Sequence, residues 1–320
     1  MRKILSLALA ALMIVSALAF VSCGEKAAKL GLGVATTVSA TNATEEKAGS
    51  VKTAVTVAAV LLSTDGKIIS VDIDTLEASL GMTATGEAVA AKSLASKRDK
   101  GDNYNMVKFG GAKLEWYAQV DALETVLVGK TTEEAKALLL ETGYGAVVTA
   151  GCTIDISDMI EAVLEACANA KEVGSFEGDS VAVSVVCENS TSTADATEEK
   201  DGVLQAEFTF AAVTVKDGKT TAVITDAMNA KATFSTTGEA ISTAEPQTKG
   251  ELKEGYGMAM YANKTEYYLQ SAAFDKECAG KTSAEITAME NGTDALVAAG
   301  CTIAVSPLVA AVVKAIAAAK

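Results

Sequence analysis

Two short segments carry the residue types from which a binding site can be built. Ala150-Gly151-Cys152-Thr153-Ile154 returns as Ala299-Gly300-Cys301-Thr302-Ile303, each time just ahead of an alanine-rich helical stretch. A glycine lets backbone approach a ligand, a threonine offers a hydroxyl, and a helix start offers free N–H groups, so the set suits an anionic group such as a phosphate. The competing reading is architectural: a tight strand-to-helix turn in which glycine takes a special dihedral and threonine packs or caps. Gly151, Cys152, Thr153, Gly300, Cys301 and Thr302 are the candidate site residues, and no residue is assigned a catalytic role.

The chain has no histidine, which removes Ser-His-Asp and Cys-His nucleophile schemes and most catalytic zinc sites. Arg98 is the only arginine after Arg2, so a clamp of several guanidinium groups on phosphate is excluded. Beyond Cys23 there are Cys152, Cys167, Cys187, Cys278 and Cys301, with no Cys-x-x-Cys pair and therefore no thioredoxin-like or metal-knuckle signal. Cys152 and Cys301 are equivalent in the repeat, and the other three read as small buried hydrophobes.

The elements that must position these residues are themselves repeated. Thr44-Glu45-Glu46-Lys47 matches Thr197-Glu198-Glu199-Lys200, Asp65-Gly66-Lys67 matches Asp217-Gly218-Lys219, and Thr85-Gly86-Glu87-Ala88 matches Thr237-Gly238-Glu239-Ala240. Tyr104-Asn105-Met106 then matches Tyr256-Gly257-Met258, and Gly129-Lys130-Thr131 matches Gly280-Lys281-Thr282. Collinear matches at one spacing mean a duplicated unit of about 150 residues, the size of an ordinary domain able to bury its own core. Residues 31–172 form copy one and residues 180–320 copy two, joined at Gly174 to Asp179.

Within each copy, alternating apolar runs predict strands at Val34 to Ser39, Val51 to Leu62 and Ile68 to Asp74, and at Val181 to Val186 and Val203 to Val215. Asp65-Gly66 and Asp217-Gly218 are type I′ hairpin signals, and Ile69, Val71 and Ile73 should share one face. Helical spacing covers Ala112 to Val128 through Leu114, Tyr117, Val120, Leu123, Val126 and Leu127. Thr131 with Glu134 and Thr282 with Glu285 form capping boxes, and a last helix starts at Ser157 or Ser306 with serine as its cap. The fold class is therefore α+β: two tandem copies of an antiparallel sheet packed with helices.

The first residues are different. Arg2-Lys3, an apolar run from Ile4 to Val21 and Ser22-Cys23-Gly24 read as a lipoprotein signal, with residues 1–22 removed, lipid on Cys23 and residues 23–30 a tether. That places the mature chain on the extracytoplasmic face of a bacterial membrane. Formal net charge is −14, and losing Arg2 and Lys3 leaves 25 of the 27 basic residues against 41 acidic ones. Such a surface repels nucleic acid, which is excluded as a partner.

The order of a hairpin with Asp-Gly-Lys, helices, Gly-x-Thr-Ile and a closing Ala-Val-rich helix resembles the FMN-binding domain of bacterial extracytoplasmic flavoproteins and lipoproteins. In that family the motif is typically Ser-Gly-Ala-Thr and a flavin transferase esterifies FMN phosphate onto the threonine. Here Ala150 and Ala299 replace the serine, Cys152 and Cys301 replace the alanine, and Val147 and Leu296 stand where an aspartate is usual. The resemblance implies FMN at Thr153 and Thr302, a flavin transferase and membrane redox proteins as partners, and electron transfer as the role. The alternatives are a non-redox surface lipoprotein that binds a small anionic ligand or a protein partner, and a structural surface protein. Trp116-Tyr117, Tyr267-Tyr268, Tyr104, Tyr256, Lys130 and Lys281 are secondary candidates, with core packing or plain solvation the commoner fate of such residues.

Overall fold

A computed structural model describes residues 25–140, 145–262 and 265–319. Residues 1–22 and the proposed lipid site Cys23 lie outside the described residues.

Copy one begins with β1 (Lys29–Thr41), β2 (Gly49–Leu62), β3 (Ile68–Met82) and the short β4 (Ala88–Val89). Its helices are α1 (Lys97–Lys100), α2 (Met106–Gly110), α3 (Trp116–Leu127), α4 (Thr132–Ala137), α5 (Gly145–Ala150) and α6 (Ser157–Asn169). Copy two repeats the order with β5 (Ser180–Asn189), β6 (Gly202–Lys216), β7 (Lys219–Phe234) and β8 (Ala240–Ser242). Its helices are α7 (Lys249–Leu252), α8 (Met258–Ala262), α9 (Tyr267–Cys278), α10 (Ser283–Thr287), α11 (Asp294–Ala299) and α12 (Ser306–Ala318). Each sheet is antiparallel in the order of the sequence, β1-β2-β3-β4 and β5-β6-β7-β8, so the expected α+β architecture of two sheet-and-helix units is present.

The strands are buried on alternating sides, and both sides matter. Val55, Val57, Ala59 and Leu61 of β2 and Leu76, Ala78, Leu80 and Met82 of β3 face Phe208, Phe210 and Ala212 of β6 and Met228, Ala230 and Ala232 of β7 in one common core. The opposite faces are covered by each copy's own helices: Ala58, Val60, Val71 and Ile73 meet α3 and α6, and Ala211, Val213 and Val223 meet α9 and α12. The result is a sandwich with two sheets inside and helices on each outer face. Leu61, Leu76, Phe208 and Phe210 are fully buried in the shared layer. At about 1.5–3 kcal/mol each they carry roughly 6–12 kcal/mol, the order of a whole domain's net stability. The expectation that each copy closes its own core is therefore met only on the helix side.

The contacts between copies obey a pseudo-twofold rule that explains several repeated motifs. Ala43 N–H donates to Gly238 O (2.8 Å) and, symmetrically, Ala196 N–H donates to Gly86 O (2.7 Å). Asn42 accepts from Ala240 N–H (3.0 Å) as Asp195 accepts from Ala88 N–H (2.7 Å). Gly238 has φ +71°, and a Cβ there would collide with the Thr83 carbonyl of the other copy. The Thr-Glu-Glu-Lys and Thr-Gly-Glu turns thus hold one copy to the other.

Local differences from the sequence expectations have local causes. At Asp217-Gly218 both residues have positive φ (50° and 75°), as type I′ requires. In copy one only Gly66 does (83°), because the loop has three residues between Ser63 and Lys67 and bulges at the glycine. Ile69 falls on the opposite face from Val71 and Ile73, since a β-bulge shifts the register so that Leu61 pairs with Ser70 and Leu62 with Ile68. The helix expected from Ala112 starts at Trp116, with Glu115 as the cap and Leu114 exposed. Both capping boxes form as expected. Ser157 and Ser306 lie inside their helices instead; Ile156 and Val305 hold the cap positions, and Asp155 accepts from Ser157 N–H (2.9 Å).

The expected tether and junction are also more ordered than a linker. Ala28 N–H donates to Ser175 O (2.9 Å), Glu177 N–H donates to Lys26 O (2.9 Å), and Glu25 pairs with Lys216. Chain from residue 25 onward therefore belongs to the folded body, with Asp179 accepting from Phe176 N–H (2.9 Å) and Thr221 Oγ1 (2.6 Å) to shape the junction.

Candidate functional site

The repeated Gly-Cys-Thr segment ends one helix and leads to another; it is not a strand-to-helix turn. Gly151 (φ 115°) and Gly300 (φ 97°) terminate α5 and α11 in the positive-φ conformation that glycine adopts without strain. Cys152 N–H donates to Val147 O (3.1 Å) and Cys301 N–H to Leu296 O (2.8 Å), the closing bonds of a Schellman cap. The end presented here is a helix C-terminus, whose partial charge is negative and repels a phosphate. Cys152 and Cys301 point into the helix-side cores, where burial pushes both thiols above the ordinary range. They are free thiols, as are Cys167, Cys187 and Cys278.

Thr153 and Thr302 stay exposed, and each is latched to a buried glutamine. Gln119 Oε1 accepts from Thr153 N–H (2.8 Å) and Oγ1 (3.0 Å), while its Nε2 donates to Leu114 O (3.0 Å). Gln270 does the same with Thr302 (2.8 and 3.0 Å) and Thr265 O (2.6 Å). These glutamines escaped the sequence reading, although a signal existed: Gln119 lies between Trp116, Val120 and Leu123 on the apolar stripe of α3, and Gln270 repeats it on α9.

The secondary candidates are accounted for in similar ways. Trp116 and Tyr267 are core side chains, roofed by the ammonium groups of Lys97 (5.5 Å) and Lys249 (4.8 Å), which also cover Tyr104 and Tyr256. Tyr117 and Tyr268 donate to Asp102 (3.1 Å) and Glu254 (2.9 Å). Lys130 and Lys281 accept backbone bonds from Ile68 and Thr220, which moor β3 and β7 to the helices. A cleft of about 370 Å³ beside Trp116 and Ile154 contains Lys52 and Lys97, both paired with Glu77 (3.0 and 3.2 Å).

The larger chemical difference lies where the copies meet side by side. In the seam between β3 and β5, Arg98 from α1 donates to Ile73 O (2.6 Å), Asp121 (2.9 Å) and Glu124 (2.5 Å), with Asp72 at 3.4 Å. Asp72 also accepts Val183 N–H from copy two (2.8 Å). Lys314 on α12 crosses over to Asp99 (2.6 Å) and Val185 O (2.9 Å). Burial lifts the Glu124 carboxyl to about 8, against the opposing pull of the guanidinium. For Asp99 burial is outweighed by Lys314, which holds this carboxyl below its usual value.

The pseudo-equivalent seam between β1 and β7 has lost both cations. The capping boxes Ser96–Asp99 and Thr248–Glu251 superpose in sequence, which puts Gly250 at the place of Arg98. By the matching of α6 with α12, Glu165 stands where Lys314 does; it accepts Val34 N–H (2.8 Å), the counterpart of the Lys314 bond to Val185. Asp226 and Asp275 keep the places of Asp74 and Glu124, whereas Ile224 and Ala272 replace Asp72 and Asp121. A cleft of about 460 Å³ opens here, lined by Leu32, Val34, Glu165, Asp226, Glu251 and Asp275 among others. It continues into a second hollow of about 410 Å³ through Glu165 and Glu251, adding Glu161 and Glu245. Lys171 and Lys253 are the basic residues on these walls.

Burial pushes the Asp275 carboxyl up to about 7, against bonds from Thr225 N–H (3.1 Å) and Oγ1 (2.6 Å). Asp226 is raised by burial, against the Thr248 hydroxyl and the N–H groups of Ala227 (2.7 Å) and Gly250 (2.9 Å). Glu165 is raised by burial and by the nearby Glu251 carboxylate. The sequence reading placed the site at the Gly-Cys-Thr turns; none of the clefts just described is lined by Gly151, Cys152, Thr153, Gly300, Cys301 or Thr302. No family model, curated protein or solved structure matches this chain.

Proposed function

We propose that this chain is a non-redox binding protein, tethered by lipid at Cys23 on the extracytoplasmic face of a membrane, with its ligand site in the open β1/β7 seam. The observation that carries the reading is the asymmetry between two equivalent seams. One is closed by the chain's own Arg98 and Lys314, and the other is an open, acid-lined cleft. The signal-like sequence before residue 24 supports the anchor, and among the described residues no helix is long and apolar enough to cross a membrane. The flavin reading remains distinct: it needs Thr153 or Thr302 as an ester acceptor, whereas each hydroxyl is a donor to a buried glutamine at a helix C-terminus.

Thermal unfolding of the full chain, measured with a panel of small cations, FMN and neutral sugars, tests the reading against Ala272→Arg, which fills the cleft. A ligand that raises the midpoint of the native chain but not of the variant supports it. No ligand-dependent shift, or one that survives the substitution, refutes it. A yellow chain gaining one FMN mass per intact threonine, after co-expression with a flavin transferase, would replace it with the flavin carrier; Thr153→Ala and Thr302→Ala should then each remove one.

A further inference from the structure

We infer that the open seam binds the guanidinium group of an alkylguanidine or arginine-like ligand, in the place that Arg98 occupies in the other seam. This rests on the cleft being the binding site and adds the class of ligand it takes. The same fold position in copy one holds a guanidinium against the backbone carbonyl of Ile73 and the carboxylate of Glu124. In copy two the equivalent carboxylate is Asp275 on α9, and Gly250 holds the place of Arg98 with the Asp226 carboxylate lying where its Cβ would be, so no guanidinium of the chain enters the cleft from this position. The seam therefore retains an acceptor of the guanidinium site without its internal occupant.

Glu165, Asp226, Glu251 and Asp275 line the main cleft and Glu161 and Glu245 its extension, against Lys171 and Lys253. An anion entering here meets repulsion on the helix and strand sides alike. The cross-seam residue also changes in the same sense, since Lys314 becomes Glu165. Leu32, Val34, Ile224 and Ala272 give the cleft apolar walls, which match the methylene stem of an alkylguanidine, while planar N–H donors reach the carboxylates in pairs.

Calorimetric titration of the full chain with n-butylguanidinium, n-butylammonium and butyrate tests the assignment. The expected result is one saturable site for butylguanidinium, weaker binding of butylammonium and none of butyrate. Asp275→Asn and Glu165→Lys should each weaken butylguanidinium at least about tenfold, the loss of a charge-assisted partner. Glu165→Lys, on the cleft wall and outside the shared core, keeps the test open if Asp275→Asn misfolds. No saturable binding of butylguanidinium, or binding indifferent to both substitutions, overturns the inference. If the thermal panel finds an anion or a sugar whose effect Ala272→Arg abolishes while butylguanidinium stays silent, the cleft is a binding site and only its guanidinium specificity falls. If nothing in either experiment engages the cleft, both readings fall.

Discussion

Replacing Arg98 by alanine asks whether a guanidinium is the structural keystone of the closed seam. The side chain is 18% exposed, its Glu124 partner 15% and its Asp121 partner 42%. Breaking a buried ion pair by removing one member costs about 3–5 kcal/mol, because the remaining charge loses its partner. Water reaches Asp121 and can replace that arm, so the net cost should be about 2–4 kcal/mol. The deficit also depends on pH. Burial already holds Glu124 at about 8 in the native chain, against the pull of the guanidinium, and without Arg98 its folded value rises further. A carboxyl raised on folding contributes stability below its unfolded value that is lost as pH rises through the folded value. With Glu124 already at about 8 in the native chain and higher in the variant, the deficit should stay level up to about pH 8 and widen above it.

Chemical rescue supplies the decisive readout. Arg98→Ala leaves a space bounded by Glu124, Asp72, Asp121 and the Ile73 carbonyl, which n-propylguanidinium can fill. At ten times its dissociation constant a ligand that binds only the folded state stabilises by about 1.4 kcal/mol. The assay is denaturant unfolding with n-propylguanidinium or n-propylammonium present, the native chain under identical conditions cancelling any general solvent effect. Rescue by the planar cation beyond that by the ammonium is expected. A variant as stable as the native chain, or one that neither cation restores selectively, refutes the argument that the guanidinium closes this seam.

Asp275, raised from 3.8 to about 7, makes the ligand-free chain lose stability as pH climbs from about 4 to 7.5. At 1.36 kcal/mol per pH unit the loss is on the order of 4 kcal/mol. Asp275→Asn should remove that contribution from the unfolding curves, leaving the fall due to Glu124, Asp74, Asp226 and Glu165; parallel slopes would contradict the burial argument. At the repeated turns, Thr153→Val removes one hydroxyl bond but keeps the backbone N–H on Gln119, so it should cost about 0.5–1.5 kcal/mol. Gln119→Ala empties a buried site and strips partners from both sides, and should cost about 2–4 kcal/mol. Equal effects of the two substitutions would show that the latch is misassigned.

Much of the scaffold was legible because it rests on short-range rules. The capping boxes at Thr131 and Thr282 form from their own four residues, and the alternation in Val51 to Leu62 is a strand wherever it lies. Asn105 and Gly257, matched in the repeat, both take positive φ (60° and 75°), which is why only those residue types alternate there. What stayed hidden depends on partners distant in sequence. Strands buried on both faces do not reveal that one face belongs to the other copy. Nothing local to Arg98 in the sequence shows that it reaches Glu124 on a later helix. The Gly-Cys-Thr turn drew notice because it repeats, yet a helix cap and a buried latch need repetition as much as a ligand site does.

The asymmetry of the seams is better explained by binding than by packing. A seam kept only for packing, on losing its arginine and lysine, is most stable when its buried acids become apolar too, since an unpaired buried carboxylate is costly. Two positions follow that course: Ile224 and Ala272 stand in place of Asp72 and Asp121. Asp226 and Asp275 do not, and Glu165 adds an acid from the other copy where the closed seam has a lysine. The cost is visible in Asp275, whose carboxyl burial pushes up to about 7, and a perturbed group that also lines a cleft is a candidate for binding. Glu165 of copy one and Asp275 of copy two line the same cleft, so a cation bound between them would bridge β1 and β7, as Lys314 on Asp99 and Asp72 on Val183 N–H bridge the other seam.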